Sequence, residues 1–241
     1  ITLDAGFSCP NRQNGKHGCI YCDDGGSFSQ SHSANMSIKE QLDFGAQYLT
    51  DRFKAVKYMS YFQSFSNTYK PVEELKTIYD ASLDHPDIVG ISIGTRPDCV
   101  DEEKLDLIAG YKDKYETWIE YGLQSMHNKT LERINRGHDL DCFLKAYEMT
   151  KERGINTCVH VIFGLWETHE EMMETIKLLA KLRVAGIKLH MICGLRGTEI
   201  TRMYERGEFE FMDEMEYVNL CCDASELLPP ETTLHRIAGS G

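Results

Sequence analysis

Cys9-Pro-Asn-Arg-Gln-Asn-Gly-Lys-His-Gly-Cys19-Ile-Tyr-Cys22 puts three thiols on one short loop in a C-x9-C-x2-C spacing, with further glycines at 25 and 26. Crowded thiolates repel one another, so such a loop calls for a metal ion or cluster that supplies compensating positive charge. The glycines let the backbone bend around a bulky inorganic core and aim N–H groups at its sulfurs. A cubane iron-sulfur cluster takes four cysteines, so three would leave one iron open, as a reactive site requires. The competing reading is structural zinc, with Cys9, His17, Cys19 and Cys22 forming a Cys3His tetrahedron.

Outward from the loop, strand-like and helix-like patterns alternate. Strands are expected at Ile1 to Leu3, Ala55 to Phe62, Ile88 to Gly94, Thr117 to Leu123, Asn156 to Gly164 and Gly186 to Cys193. Between them lie helical stretches from Ser37 to about Asp51, Pro71 to Leu83, from Asp101, around Thr130, Leu140 to Arg153 and Glu167 to Arg183. Ser37-Ile-Lys-Glu40 has the form of a capping box. Repeated strand-helix units of about 30 residues imply a parallel sheet with right-handed crossovers. Six units are too few to close an eightfold barrel, so the α/β fold expected is an open (β/α)6 partial TIM barrel. Met212 to Leu228 reads as a last helix ended by Pro229-Pro230, and Thr232 to Ile237 as an edge strand. The whole chain, 1–241, reads as one domain, with a core to about 197 and a C-terminal extension from 198.

Because strand side chains alternate, phase sorts them onto two faces. In the fourth strand Ile119, Tyr121 and Leu123 should meet the helices, leaving Trp118, Glu120, Gly122 and Gln124 in the lumen. The third strand gives Gly90, Ser92, Gly94 and Arg96 inside, the fifth Cys158, His160, Ile162 and Gly164, and the sixth Lys188, His190 and Ile192. An ordinary barrel core is filled with branched apolar residues. This lumen is polar and partly small, as a cavity for a polar cofactor would be. The cysteine loop follows the first strand and so sits on the same C-terminal rim, where parallel barrels carry their active sites.

The cysteine loop, with Tyr21 before its last cysteine, resembles the signature of the radical S-adenosylmethionine (SAM) superfamily. Its long first spacing departs from the commoner C-x3-C-x2-C and resembles the branch related to the elongator catalytic subunit, especially its small bacterial members. Glu120-Tyr-Gly-Leu-Gln-Ser125 and Ile134-Asn-Arg-Gly-His138 look like motifs of elongator-like and coproporphyrinogen-dehydrogenase-like members. The resemblance implies that Cys9, Cys19 and Cys22 hold a [4Fe-4S] cluster whose open iron chelates SAM, split by one electron to a 5'-deoxyadenosyl radical. It implies cofactor contacts from Tyr21, Glu120, Gln124 and Arg136, packing of Ile162 on adenine, and a Gly164 that admits the ring. Arg136 also has a helix-end reading beside Gly137. Tyr61-Phe-Gln-Ser-Phe-Ser-Asn-Thr-Tyr69 resembles the second-strand motif of the small bacterial branch, making Gln63 and Asn67 candidates for SAM or substrate. Gly94-Thr-Arg-Pro-Asp-Cys99 resembles a third-strand motif but has glycine where many relatives carry an acidic residue. Elongator relatives act on the wobble uridine of tRNA, so a reaction on the C5 side chain of that base is expected. His160, Lys188 and His190 are then the nearest polar groups to substrate. An electron donor such as flavodoxin or ferredoxin is implied.

Composition bounds the alternatives. The chain has 241 residues, 41% hydrophobic and 27% charged, a globular balance. No apolar run approaches the ~20 residues of a membrane span and no signal pattern opens the chain, so a cytoplasmic location is expected. Nine cysteines without a disulfide-like framework suit a reducing compartment. A net charge of -12 argues against a uniformly basic nucleic-acid face, and keeps a small-molecule substrate as an alternative to tRNA. A non-enzymatic zinc-bound interaction protein is the alternative of a different class. Ile1 in place of methionine, and the closing Ala238-Gly-Ser-Gly241, read as a chain trimmed at both ends.

Overall fold

Period-two alternation in a strand buried on both faces, with apolar side chains out toward helices and polar ones in, suits a curled parallel sheet wrapped on one side. The computed structural model describes residues 1–13, 15, 17–23, 25–26 and 36–237, and the closing Ala238–Gly241 stretch lies outside them. Seven strands form one parallel sheet in sequence order: β1 (Thr2–Leu3), β2 (Tyr58–Phe62), β3 (Ile88–Thr95), β4 (Glu116–Gln124), β5 (Asn156–Phe163), β6 (Gly186–Met191) and β7 (Thr233–Arg236). Consecutive order in an all-parallel sheet puts every crossover helix on the same side. The result is the open partial barrel expected, with the anticipated edge strand β7 beside β6.

The crossover helices are α1 (Ile38–Phe53), α2 (Val72–Ser82), α3 (Glu102–Ala109), α4 (Asn128–Arg133), α5 (Leu140–Glu152) and α6 (His169–Leu182). The capping box at α1 is present: Ser37 Oγ accepts from the Glu40 N–H while the Glu40 carboxylate accepts from the Ser37 N–H. Thr168 and Glu171 form a second one at α6. After β6 come α7 (Glu199–Glu205), which the sequence reading did not anticipate, and α8 (Glu214–Leu227).

The predicted phase holds through the middle of the sheet. Ile91, Ile93, Ile119, Tyr121, Leu123, Val159, Val161, Phe163, Ile187 and Leu189 join one apolar core between sheet and helices. The Tyr121 hydroxyl meets Thr150 of α5 at 2.8 Å, which fixes that face as the helix side. Val89, in phase with Ile91 and Ile93, is nonetheless exposed at the start of β3. A second, smaller core of Leu131, Ile134, Ile162, Leu165, Ile192, Ile200 and Phe209, with Ile20 and Tyr21 against it, binds the rim together. The Ile20 N–H donates to the Ile134 carbonyl and the Ile200 N–H to that of Ile20, so the cysteine loop is strapped between α4 and α7.

Candidate functional site

The rim begins where β1 ends. Cys9 leads into a single 3-10 turn, Pro10–Arg12, and the loop then closes through bonds from the Gly18 N–H to the Asn11 carbonyl and from the Cys22 N–H to that of Cys19. Gly18 has φ +79°, a left-handed conformation that side chains disfavour. Two asparagines hook this loop to the turn after α4. Asn11 Nδ2 donates to the Asn135 carbonyl at 2.6 Å, and Asn135 Nδ2 donates to that of Gly18 at 2.6 Å. Arg12 Nη2 donates to the Cys22 carbonyl at 2.7 Å and also to that of Asp23.

Behind the sulfurs stand two buried arginines. Arg136 Nη1 lies 3.5 Å from Cys19 Sγ, while its Nη2 and Nε donate to the Gly122 carbonyl at 2.6 and 3.2 Å. A Cβ on Gly122 would come within 2.6 Å of Arg136 Nη2, so the bare backbone of β4 is what lets the guanidinium lie flat there. Arg96 is forked onto Asp98 at 2.8 and 2.9 Å and donates from Nη1 to the Arg136 carbonyl at 2.8 Å. Burial alone would push the Cys19 thiol up, but the Arg136 guanidinium, then Arg96 and the Tyr21 phenol, bring it below its ordinary value. Burial raises Cys22, against the opposing pull of Arg12.

The fourth strand ends on the same rim. Gln124 has φ +77°, a strained value for a non-glycine residue, at a register irregularity in the pairing of β4 with β5. Its buried Oε1 has no hydrogen-bond partner. Gly164, just past β5, has φ +90°, and a Cβ there would meet Ile192 at 2.8 Å. Its glycine is therefore required by backbone shape, and Ile162 beside it is packed into the rim core at 8% exposure. Gln63 follows β2 half-buried, its carbonyl 3.5 Å from where a Gly94 side chain would start. That Cβ would also lie 2.9 Å from the Phe62 carbonyl, which explains glycine at 94 by close backbone approach. Asn67 is tied into structure, its Nδ2 donating to the Gly94 carbonyl at 2.6 Å.

Deeper in the lumen a second set gathers around Glu120, which is 3% exposed. Its Oε2 accepts from Lys188 Nζ at 2.6 Å, His160 Nε2 at 2.7 Å and the Tyr61 hydroxyl at 3.0 Å, and its Oε1 accepts from Ser92 Oγ at 2.6 Å. Five consecutive strands, β2 to β6, thus tie onto one carboxylate. Burial opposes the charge, yet the His160 hydrogen bond and the Lys188 ammonium hold Glu120 well below the usual carboxylate range. His160 is pushed below its ordinary value chiefly by burial, Glu120 opposing, so its neutral ring donates from Nε2. His190 lies 5.4 Å from His160 ring to ring, has a buried Nε2 without a partner, and is lowered to about 3 by burial and then by its charged neighbours. The Lys188 ammonium also lies over the Tyr61 ring at 4.3 Å.

The expected residues therefore fall into two linked groups. Cys9, Cys19, Cys22, Tyr21, Gln124 and Arg136 belong to the rim. Glu120, His160, Lys188 and His190 form the lumen floor, where Glu120 is committed to four protein donors. Sequence reading passed over Asn11, Asn135 and the part played by Tyr61. The left-handed Asn135 beside Gly137, within the motif already quoted, was the available signal. Glu120, Cys158 and His235 have ligand atoms mutually within 4.8 Å, but both Glu120 oxygens are already engaged.

The donor set fits an iron-sulfur cluster better than zinc. Among the described residues, no three of Cys9, His17, Cys19 and Cys22 have ligand atoms all within 4.8 Å of one another, and His17 is exposed. A tetrahedral zinc with bonds of about 2.3 Å needs sulfurs closer than that. The cationic Arg136 at the thiolate face and the unpartnered Gln124 Oε1 add a charge and an acceptor for an anionic cluster and its polar ligand.

An open parallel barrel with three cysteines on its first rim loop defines the class: an iron-sulfur radical SAM enzyme. The chain belongs to the Radical SAM superfamily, whose profile matches residues 9–179, and residues 184–241 match the Radical_SAM C-terminal domain. It is 42% identical over 243 residues to the uncharacterized protein MJ0486 of Methanocaldococcus jannaschii, covering 99% of this chain and 74% of that protein. It is 26% identical over 172 residues to the tRNA uridine(34) acetyltransferase of Methanocaldococcus infernus, covering 70% of this chain and 31% of that protein. The archaeal Elp3 structure from M. infernus shares its fold at a TM-score of 0.70 and 19% identity, over 83% of this chain and 54% of that one. The family uses a [4Fe-4S] cluster and SAM, so the zinc interaction protein is set aside.

Proposed function

We propose that this enzyme abstracts a hydrogen atom in modifying the C5 side chain of the wobble uridine of tRNA. Cys9, Cys19 and Cys22 would hold the cluster, which with SAM would supply the radical chemistry. Tyr21, Gln63, Gln124 and Arg136 would orient SAM at the rim, and Ile162 and Gly164 would take its adenine. Glu120 positions Lys188 and His160, and these with His190 present polar groups to a substrate entering the lumen. The observation that carries the reading is this ordered floor, in which Lys188 and the unpartnered His190 Nε2 offer a donor and an acceptor below the rim. The relationship to a tRNA uridine(34) acetyltransferase supports a nucleoside substrate.

A small polar molecule is the second reading, favoured by the net charge of -12. No helix among the described residues is long and apolar enough to cross a membrane, and a cytoplasmic site with flavodoxin or ferredoxin as electron donor completes the proposal. The test compares modified nucleosides in tRNA from cells with and without the protein. Loss of one uridine modification supports the tRNA reading, and an unchanged profile with no salt-dependent tRNA binding refutes it in favour of the small molecule.

A further inference from the structure

The charges behind the cysteine loop do not balance. Arg96 and Arg136 are 3% and 7% exposed, and Asp98 is the carboxylate within ion-pair reach of Arg96. Among the described residues no carboxylate pairs with Arg136, whose guanidinium is spent on the Gly122 carbonyl and on Cys19 Sγ. Two guanidiniums against one carboxylate leave one positive charge that is answered only by the Cys19 thiolate and whatever that thiolate ligates. A guanidinium cannot shed its proton, and a buried unpaired charge is strongly unfavourable, so this spot demands a standing negative neighbour.

An iron-sulfur cluster grows more negative by one charge on reduction, and nearby charges and hydrogen bonds to its sulfurs set its potential. A fixed cation favours the reduced form. We propose that the Arg96–Arg136 pair, partly offset by Asp98, is a redox-tuning element that makes the cluster easier to reduce whether or not SAM is bound. Arg136 acts here as a positioning and charge-supplying residue on Cys19, in addition to any contact with SAM. Gly122 is part of the device because its missing side chain admits the guanidinium.

The inference concerns the cluster alone and stands independently of the substrate. Its test is a redox titration of the anaerobically reconstituted full chain, followed by electron paramagnetic resonance without SAM or substrate. Arg136→Met should move the midpoint negative by about 59 mV, a tenfold fall in the one-electron equilibrium constant. Arg136→Lys should recover most of that shift. Asp98→Asn, which uncovers the charge of Arg96, should move the midpoint in the positive direction. Matched iron and sulfide content and matched circular dichroism establish that the variants are folded and loaded. Should Arg136→Met fail to load iron, Arg136→Lys at the wild-type midpoint with a positive shift in Asp98→Asn still supports the proposal. An Arg136→Met midpoint equal to wild type, with only SAM affinity lost, overturns it. So does an Asp98→Asn shift that is absent or negative.

Discussion

Replacing Glu120 by glutamine removes one charge and keeps the shape, which makes it a sharp probe of the lumen floor. Lys188 Nζ would lose its anionic partner while remaining in a side chain only 9% exposed, and an amide cannot accept from His160, Tyr61, Ser92 and Lys188 together. Breaking one side of a buried ion pair costs about 3–5 kcal/mol. For a chain of this size each kcal/mol moves the melting temperature by roughly 2–4 °C, so Glu120→Gln should melt roughly 6–20 °C lower at pH 7. The double variant Glu120→Gln with Lys188→Met should regain part of the loss, because it removes the stranded ammonium. The wild-type contribution has a defined pH window. The folded carboxylate, opposed by burial but held by His160 and Lys188, lies below its unfolded value, so its stabilisation is full above about pH 4.3 and fades as pH falls toward the folded value. Glu120→Gln should therefore flatten the acid limb of the stability curve. Thermal and denaturant unfolding by circular dichroism measure both effects. A loss under about 1 kcal/mol, with no recovery in the double variant, would refute the reading of Glu120 as the tie across five strands.

Gly122→Ala should crowd Arg136 out of its seat, since the new Cβ would sit 2.6 Å from Nη2, and should weaken SAM binding about tenfold or more by calorimetry. Alanine at Cys9, Cys19 or Cys22 should abolish iron incorporation, whereas Cys158→Ala, in a thiol kept protonated by burial and by Glu120, should leave iron content unchanged. His190, lowered to about 3, is stable only as the neutral ring, so between pH 6.5 and 3 the unfolded chain binds the extra proton and stability falls with pH. His190→Phe should reduce that slope, the remainder coming from His138, His160 and His235, which burial also lowers, as read by urea unfolding at pH 7 and pH 5.

The parts of this molecule legible in its sequence are those governed by local period and spacing. Tyr121 and Glu120 are adjacent yet point to opposite faces, and alternation alone assigned both. The capping box at Ser37 needed only four residues to be seen. What escaped depends on residues far apart in sequence: Asn11 meets Asn135 across 124 positions, and Tyr61 meets Lys188 across 127. No periodicity encodes such meetings. Tyr61 lies in a strand, Tyr58–Phe62, that does not show the clean polar-apolar alternation of β4, and α7 owes its place to Ile200 packing on Ile20 and the rim core. Glu120 was rightly put in the lumen, but its four protein donors became visible only when five strands were brought side by side. Gly94 illustrates the converse, where an unexpected residue type is explained by the Phe62 carbonyl crossing above it.

The two amide hooks, from Asn11 to the Asn135 carbonyl and from Asn135 to that of Gly18, also bear on how the loop is held. Both bonds run between polypeptide groups, so they take up part of the loop's conformational entropy independently of any bond to iron. Protein amides and cluster thus share the ordering of one loop, and loss of the Asn135 amide would leave more of that ordering to the metal.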